Sequence, residues 1–427
     1  MNKLLKWAEP KFAVFALLIY SGFLNLTSYG LGIADKLVQV SRYGIYLVTI
    51  LLILARFKTV IRPALRDPFL WALMGLVTFS YLWSDFPAIS KKEGILTLVA
   101  SLFGLYMASR FTLKEQLQIV AWAAGIAAVF SLFYTLALPG YGKEQGFHAG
   151  AWRGPLIQKN MFARFMVIFA PPILMVALNN PKYRYALLTV FGITLALVQL
   201  SNSKSALLIC ITLMILLPLY SALRWSGSIV IPILIIAVLV SGSAATWLIS
   251  NWEPFLYGLG KDPSLTGRTD IWIAVIDKVK ERPWLGYGYA GFWVDGGVGE
   301  RAIWKVLYLP VTQAHNGYIN IVAELGLLGL LFFVLSMVTA YIRAINLARS
   351  AKTIEALWPI TYMTFILMYN QTESTNIETN SLLWILYVAV TLSIKSVRIV
   401  KPGEESENYG KEMISQTDLK DLPQSRT

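Results

Sequence analysis

Cysteine is almost absent from this chain. Cys210 is the single one in 427 residues and lies alone in an apolar run, so neither an intrachain disulfide nor a cysteine metal cluster can form. Charge is scarce too: Asp, Glu, Lys and Arg make up 14% of residues, against roughly 25% in a soluble domain. Histidine occurs only as His148 and His315, and two isolated histidines do not make a zinc site. No Gly-x-x-x-x-Gly-Lys-[Ser/Thr] loop is present, which argues against ATP hydrolysis. No outward-assigned segment carries an Asp-x-Asp or Asp-x-Glu pair to seat a divalent cation. The residue types of a Ser-His-Asp hydrolase exist, but its Gly-x-Ser-x-Gly elbow does not.

What is abundant is apolar. Hydrophobic residues make up 56% of the chain and the mean hydropathy is +0.58, as in an integral membrane protein. The net charge of +13 suits either nucleic acid or the Lys/Arg excess of cytoplasmic loops. In so apolar a chain the second reading is taken, and no nucleic-acid partner is expected. Lys3, Lys6 and Lys11 precede the first apolar run without an obvious cleavage site, which reads as an uncleaved first span.

Runs able to cross a bilayer are expected at 12–31, 38–55, 69–84, 93–109, 117–138, 161–178, 185–200, 205–223, 228–249, 317–342, 355–370 and 381–397, about twelve in all. They are apolar on nearly every face and lack β-barrel alternation. The expected fold is therefore all-α, a polytopic transmembrane helical bundle with an extracytoplasmic cap. No solenoid repeat or matched half is evident. The expected division is a first bundle part at 1–249, a large periplasmic loop at 250–314, a second bundle part at 315–400 and a disordered cytoplasmic tail at 401–427.

Loop charges give the orientation. With the N-terminus inside, the inner loops hold Arg56, Lys58, Arg62, Arg66, Arg110, Lys114, Lys182, Arg184, Arg343 and Lys352, among others. The outer loops hold fewer: Lys36, Lys91, Lys92, Lys143, Arg153, Lys159 and Lys204, with Glu373 and Glu378 in the last. This bias puts both ends inside and the polar stretch from 251 to 314 outside. In that stretch 269–281 reads as an amphipathic helix, with Ile271, Trp272, Val275, Ile276 and Val279 on one face. Thr266 or Thr269 can cap its start and Pro283 stops it. Arg268 stands at its positive end, where an anion such as a phosphate is favoured.

The outward polar groups form a short set: Arg153, Lys159, Arg164, Lys204, Arg268 and His315. Several cations can neutralise a diphosphate, and a neutral histidine can take a proton from a hydroxyl. Bland readings compete with each. A histidine at a helix start is commonly a cap, Arg153, Lys159 and Arg268 can hold lipid phosphate, and Lys204 can snorkel. Arg164 lies about one turn inside a span, where a charge is costly and usually functional. Glu324 falls about two and a half turns below His315 on the opposite helix face, so it is read as a partner within the bundle. His148, in a glycine-flanked loop, is read as a bystander.

Three motifs in order carry a resemblance: Gly267-Arg268-Thr269-Asp270-Ile271-Trp272, Pro283-Trp284-Leu285-Gly286-Tyr287-Gly288, and Ala314-His315-Asn316-Gly317-Tyr318 followed by Glu324-Leu325-Gly326 and Gly329. On this topology they resemble the O-antigen ligase and polymerase superfamily, extracytoplasmic metal-independent glycosyltransferases that use polyprenyl-diphosphate-linked sugars. The resemblance implies no cofactor, a lipid-linked glycan donor, a glycan or lipid acceptor, and a multi-pass protein of the inner membrane with its active site facing the periplasm. It makes His315 the match to the essential histidine and Arg268 the match to an arginine that binds the donor diphosphate. Lys204 stands where a Ser-x-Ser-Arg-x-Ala segment has arginine, keeping the charge but losing the bidentate fork. Arg153-Gly154-Pro155 with Lys159-Asn160 is similar to a Gly-x-x-x-His-Lys-Asn region of the exopolysaccharide polymerases, with Gln158 in the histidine's place. The likeness of that region and the lysine at 204 lean toward polymerase over ligase, while Gln158 departs from the polymerase pattern. The rival from another class is a transporter or flippase of lipid-linked sugars, against which stand the unmatched halves and the few intramembrane charges.

Overall fold

The computed structural model describes residues 3–24, 32–223, 268–307, 313–374 and 377–394, with a few isolated positions between 233 and 241. The expected span at 228–249, the tail at 401–427 and the polar residues 251–267 lie outside them. Regular structure among the described residues is helical. The one β-type pairing there is an isolated bridge between Lys143 and Trp152.

In chain order the helices are α1 (Lys3–Tyr20), α2 (Gly32–Ala55), α3 (Phe57–Ala64), α4 (Pro68–Phe79), α5 (Pro87–Arg110), α6 (Leu113–Ala137), α7 (Pro139–Gly142), α8 (Lys159–Asn179), α9 (Arg184–Leu200) and α10 (Lys204–Ala222). After the break come α11 (Arg268–Val279), α12 (Val298–Leu307), α13 (Gly317–Ser350), α14 (Trp358–Tyr369) and α15 (Leu382–Ser393). Local chemistry fixes several starts. Asp67 accepts from Leu70 N–H ahead of α4, with Pro68 at its first position. Thr112 and Glu115 form a reciprocal capping box at α6.

Among the described residues five helices are long and apolar enough to cross a bilayer: α2 over Lys36–Ala55, α6, α8, α10 and α13. Four shorter apolar stretches, Pro68–Leu82, Arg184–Leu200, Ile354–Tyr369 and Leu382–Ser393, accompany them. The protein is a multi-pass helical membrane protein. Of the dozen expected runs, nine are these helical stretches of the described residues. The run at 12–31 is interrupted: α1 ends at Tyr20, Ser21 turns its hydroxyl back to Leu18 O at 2.7 Å, and Gly22 adopts φ +78°.

Burial separates centre from rim. Within its most apolar window α8 is 78% buried and α2 only 22%, so α8 is central and α2 peripheral. The side chains of α15 are buried from Leu382 to Leu392, and α15 packs chiefly on α5. Gly104 allows that approach, because a Cβ there would meet Val388 Cβ at 2.7 Å and Ile385 O at 2.8 Å.

The helix that follows the histidine is broken. Inside α13, Gly326 has φ 66° and ψ −169°, a conformation that L side chains rarely adopt. The backbone groups freed by the break are taken up by the Pro283–Gly288 loop. Leu327 N–H donates to Pro283 O at 2.8 Å and Leu328 N–H to Trp284 O at 3.2 Å, while Tyr287 N–H reaches Ala323 O at 3.0 Å and Gly288 N–H reaches Glu324 O at 2.9 Å. Such a break in an apolar helix is tolerated only where other protein groups satisfy the backbone. The Pro-Trp-Leu-Gly-Tyr-Gly and Glu-Leu-Gly motifs, separate in the sequence, are thus one interlocked unit.

Candidate active site

His315 precedes α13 and is clamped through its neighbours. Asn316 is the N-cap, its side chain accepting from Tyr318 and Ile319 N–H. Gly317 N–H donates to Asn370 O at 2.8 Å. On the other side, Ala314 N–H donates to Asn320 Oδ1 at 3.0 Å and Ala314 O accepts Trp272 Nε1–H at 2.8 Å. With the capping role taken by Asn316, the imidazole is available for something else. His315 itself has φ +51°, a costly conformation held by these surrounding bonds.

The imidazole meets a carboxylate. His315 Nδ1 lies 3.0 Å from Glu373 Oε2, with the histidine side chain 27% exposed and the glutamate 9%. An ionised carboxylate only accepts, so Nδ1 carries the hydrogen of this bond, and in the neutral imidazole the lone pair then lies on Nε2. The glutamate is held in turn: Asn160 Nδ2 donates to Glu373 Oε1 at 3.2 Å, and Ser203 Oγ donates to Asn160 Oδ1 at 3.1 Å. This chain brings together the N-terminal ends of α8, α10 and α13, three partial positive charges at one end of the bundle.

The cations expected from sequence gather here in part. Lys159 is the first residue of α8, and its Nζ donates to Asn202 O at 3.4 Å, two residues before Lys204. Lys204 is the exposed first residue of α10, directly after Ser203. Arg268 is the first residue of α11, one turn before the Trp272 that anchors to Ala314. Arg153 braces its own loop, donating to Tyr141 O at 2.9 Å and Ile157 O at 2.8 Å. Arg164 lies one turn below Asn160 and is buried in a bidentate pair with Glu378, both contacts at 3.0 Å, plus a bond to Ser374 O at 3.2 Å. Its guanidinium is therefore largely engaged within the protein.

Other groups support the floor. Glu324 accepts the Ala290 N–H and does not pair with His315, as its helix face led one to expect. Tyr289, whose hydroxyl burial pushes up, donates to Ile377 O at 2.9 Å and contacts Thr379 at 3.0 Å, linking the glycine-rich loop to the segment that carries Glu378. Burial raises the Tyr287 hydroxyl to about 12, and it donates to Glu281 at 3.0 Å. His148 ends a single 3-10 turn at Gly146–His148. Among the described residues no three His, Cys, Asp or Glu side chains group as metal ligands.

A helical membrane protein with a carboxylate-oriented histidine where three helices begin, two of them led by lysines, is the class that fold and site define. Comparison with known proteins narrows it. The family model described as O-antigen ligase matches residues 188–334, from α9 through the break in α13. The exopolysaccharide production protein ExoQ of Rhizobium meliloti (strain 1021) is 37% identical over 89 residues, covering 20% of this chain and 20% of that relative. The resemblance to the O-antigen ligase and polymerase superfamily holds over that region. Asn160, Arg164, Glu373 and Glu378 all lie outside the residues that the family model matches.

Proposed function

We propose that the protein is a metal-independent inverting glycosyltransferase that polymerises polyprenyl-diphosphate-linked oligosaccharide repeat units at the outer face of the inner membrane. The single observation that carries this is the His315–Glu373 pair at 3.0 Å, set where the helices led by Lys159 and Lys204 begin. A diphosphate suits that end on two counts. Helix N-termini favour phosphate, and the leading residues of α8, α10 and α11 are the cations Lys159, Lys204 and Arg268.

In the proposed reaction His315 Nε2 accepts the proton of an acceptor sugar hydroxyl as its oxygen attacks the anomeric carbon. The new C–O bond forms on the face opposite the breaking C–O(phosphate) bond, and polyprenyl diphosphate leaves with the electron pair. Neutralising the developing diphosphate charge makes a separate general acid unnecessary. Glu373 holds the imidazole in its tautomer and stabilises the imidazolium that forms. The outward orientation of this end, the twelve-span topology and the periplasmic cap are part of the same proposal and rest on the loop-charge bias.

The match of residues 188–334 to the O-antigen ligase family model favours a second reading, in which a lipid core replaces the acceptor sugar. The product separates the readings. Purified protein given lipid-linked repeat units and no energy source is expected to yield a ladder of lengthening glycan. One capped lipid species would mean ligase. Movement of the lipid-linked sugar across a vesicle membrane with no new glycosidic bond would mean the transporter and end this account.

A further inference from the structure

Four residues that line one cavity, Tyr20, Arg42, Arg164 and Ser381, each carry a buried side-chain polar atom without a hydrogen-bond partner. Tyr20, Arg164 and Ser381 are at most 6% exposed. Buried polar atoms are normally paired, so four such residues around one space single that space out. The cavity measures about 550 Å3, within the roughly 300–1,000 Å3 of small-molecule sites. Its walls are the end of α1, the first half of α2, the start of α5, the start of α8 and the segment before α15.

Its chemistry differs from that of the lysine-rich end. Three cations, Arg42, Lys92 and Arg164, face two carboxylates, Glu93 and Glu378. A diphosphate would meet repulsion from those carboxylates, whereas a polyhydroxylated ligand finds alternating donors and acceptors. Tyr43 and Tyr46 add ring faces for the C–H surface of a sugar, and Tyr46 donates to Asn380, whose φ of +57° marks strained backbone in this wall. The cavity is linked to the start of α13 through Glu378. Glu378 lines both it and a small space of about 30 Å3 shared with Gly317 and Asn320, at the start of the helix that His315 precedes.

We infer that this cavity is the acceptor subsite and holds a short oligosaccharide segment beside the Arg164–Glu378 pair while its terminal hydroxyl reaches His315. The inference rests on the glycosyl-transfer reading and assigns the second substrate of that reaction. Arg42 binds sugar hydroxyls through its guanidinium, and Tyr43 carries ring contact.

The test uses the full-length protein, lipid-linked repeat unit as donor and short free fragments of the host's own glycan as acceptor. Arg42→Gln and Tyr43→Ala are each expected to raise the acceptor KM, about ten- to a hundredfold for the arginine, with the donor KM unchanged. Tyr43 is 53% exposed, so Tyr43→Ala keeps the test alive if Arg42→Gln fails to fold. An unchanged acceptor KM in folded variants, or a rise in donor KM instead, overturns the subsite while wild-type transfer that needs His315 leaves the parent reading standing. Direct binding of the fragments is measured alongside by ligand-observed NMR. If wild-type protein transfers nothing, the parent reading fails and the binding decides alone: loss of fragment binding in Arg42→Gln supports a saccharide site, and equal binding overturns it.

Discussion

Two groups of buried charge occupy opposite ends of this bundle, and they are built differently. At one end, Glu9 on α1 is 3% exposed and both its oxygens are taken by arginines: Arg56, after α2, and Arg110, at the end of α5. Arg56 adds a second contact to Glu9 Oε2 at 3.3 Å. At the other end, Arg164–Glu378 and His315–Glu373 are bordered by orphaned donors, cavities and the left-handed residues His315, Asn380 and Asn202. Both Glu9 oxygens are engaged, yet the buried Tyr106 hydroxyl beside that cluster also lacks a hydrogen-bond partner. The His315 end is distinguished by its positive-φ backbone and by the cavity that its Arg164–Glu378 pair lines. A buried charge, or an unpaired polar atom next to one, is therefore not by itself a functional signal; the cavity and strained backbone around it are the difference.

The largest expected effect tests that contrast directly. His315→Ala should lower the glycan transfer rate about 10²–10⁴-fold, with little change in thermal unfolding, measured on purified protein in detergent. Transfer at the wild-type rate would remove the histidine from the mechanism. Glu9→Gln should do the reverse. Leaving Arg56 and Arg110 buried without their counter-ion should cost on the order of 3–5 kcal/mol of stability, read as a fall in Tm, while the folded fraction keeps its kcat. A kcat loss without a Tm loss would erase the distinction between the two ends.

Smaller effects sharpen it. Glu373→Gln removes one charge-assisted bond to the imidazole and should reduce kcat about ten- to a hundredfold with donor KM unchanged, whereas a structural role would move Tm and leave kcat alone. Gly326→Ala places a Cβ 2.2 Å from Trp284 O at a positive φ; a destabilisation of at least about 1–3 kcal/mol is expected, visible as increased proteolysis around 283–288. Lys280→Ala, at an exposed pair with Asp277, should stay within about 0.5 kcal/mol of wild type and serves as the reference for the others.

Much of this was legible in the residues, and the parts that were not share a cause. The amphipathic helix expected at 269–281 is α11, Arg268–Val279, because helical spacing and Pro283 are local facts. His315 was placed at a helix start, but its competing role as a cap was settled only by Asn316. Glu373 was visible merely as an acid in the last outer loop; its contact with His315 spans 58 residues, and no periodicity encodes such a pair. Arg164 was singled out as a costly charge inside a span, yet only packing reveals that Glu378 takes both ends of its guanidinium.

The sequence by itself determined a helical membrane protein, a polar segment ahead of a histidine, and a set of cations compatible with diphosphate, because apolar run length, helical period and charge are properties of neighbouring residues. Tertiary structure alone decided that the Pro283–Gly288 loop fills the break at Gly326, that Asn160 and Glu373 orient His315, and that four residues with an unpaired buried polar atom line one cavity. Those are meetings between residues far apart in the chain, and they arise when packed helices fix which backbone and side-chain groups must find their hydrogen bonds in one another.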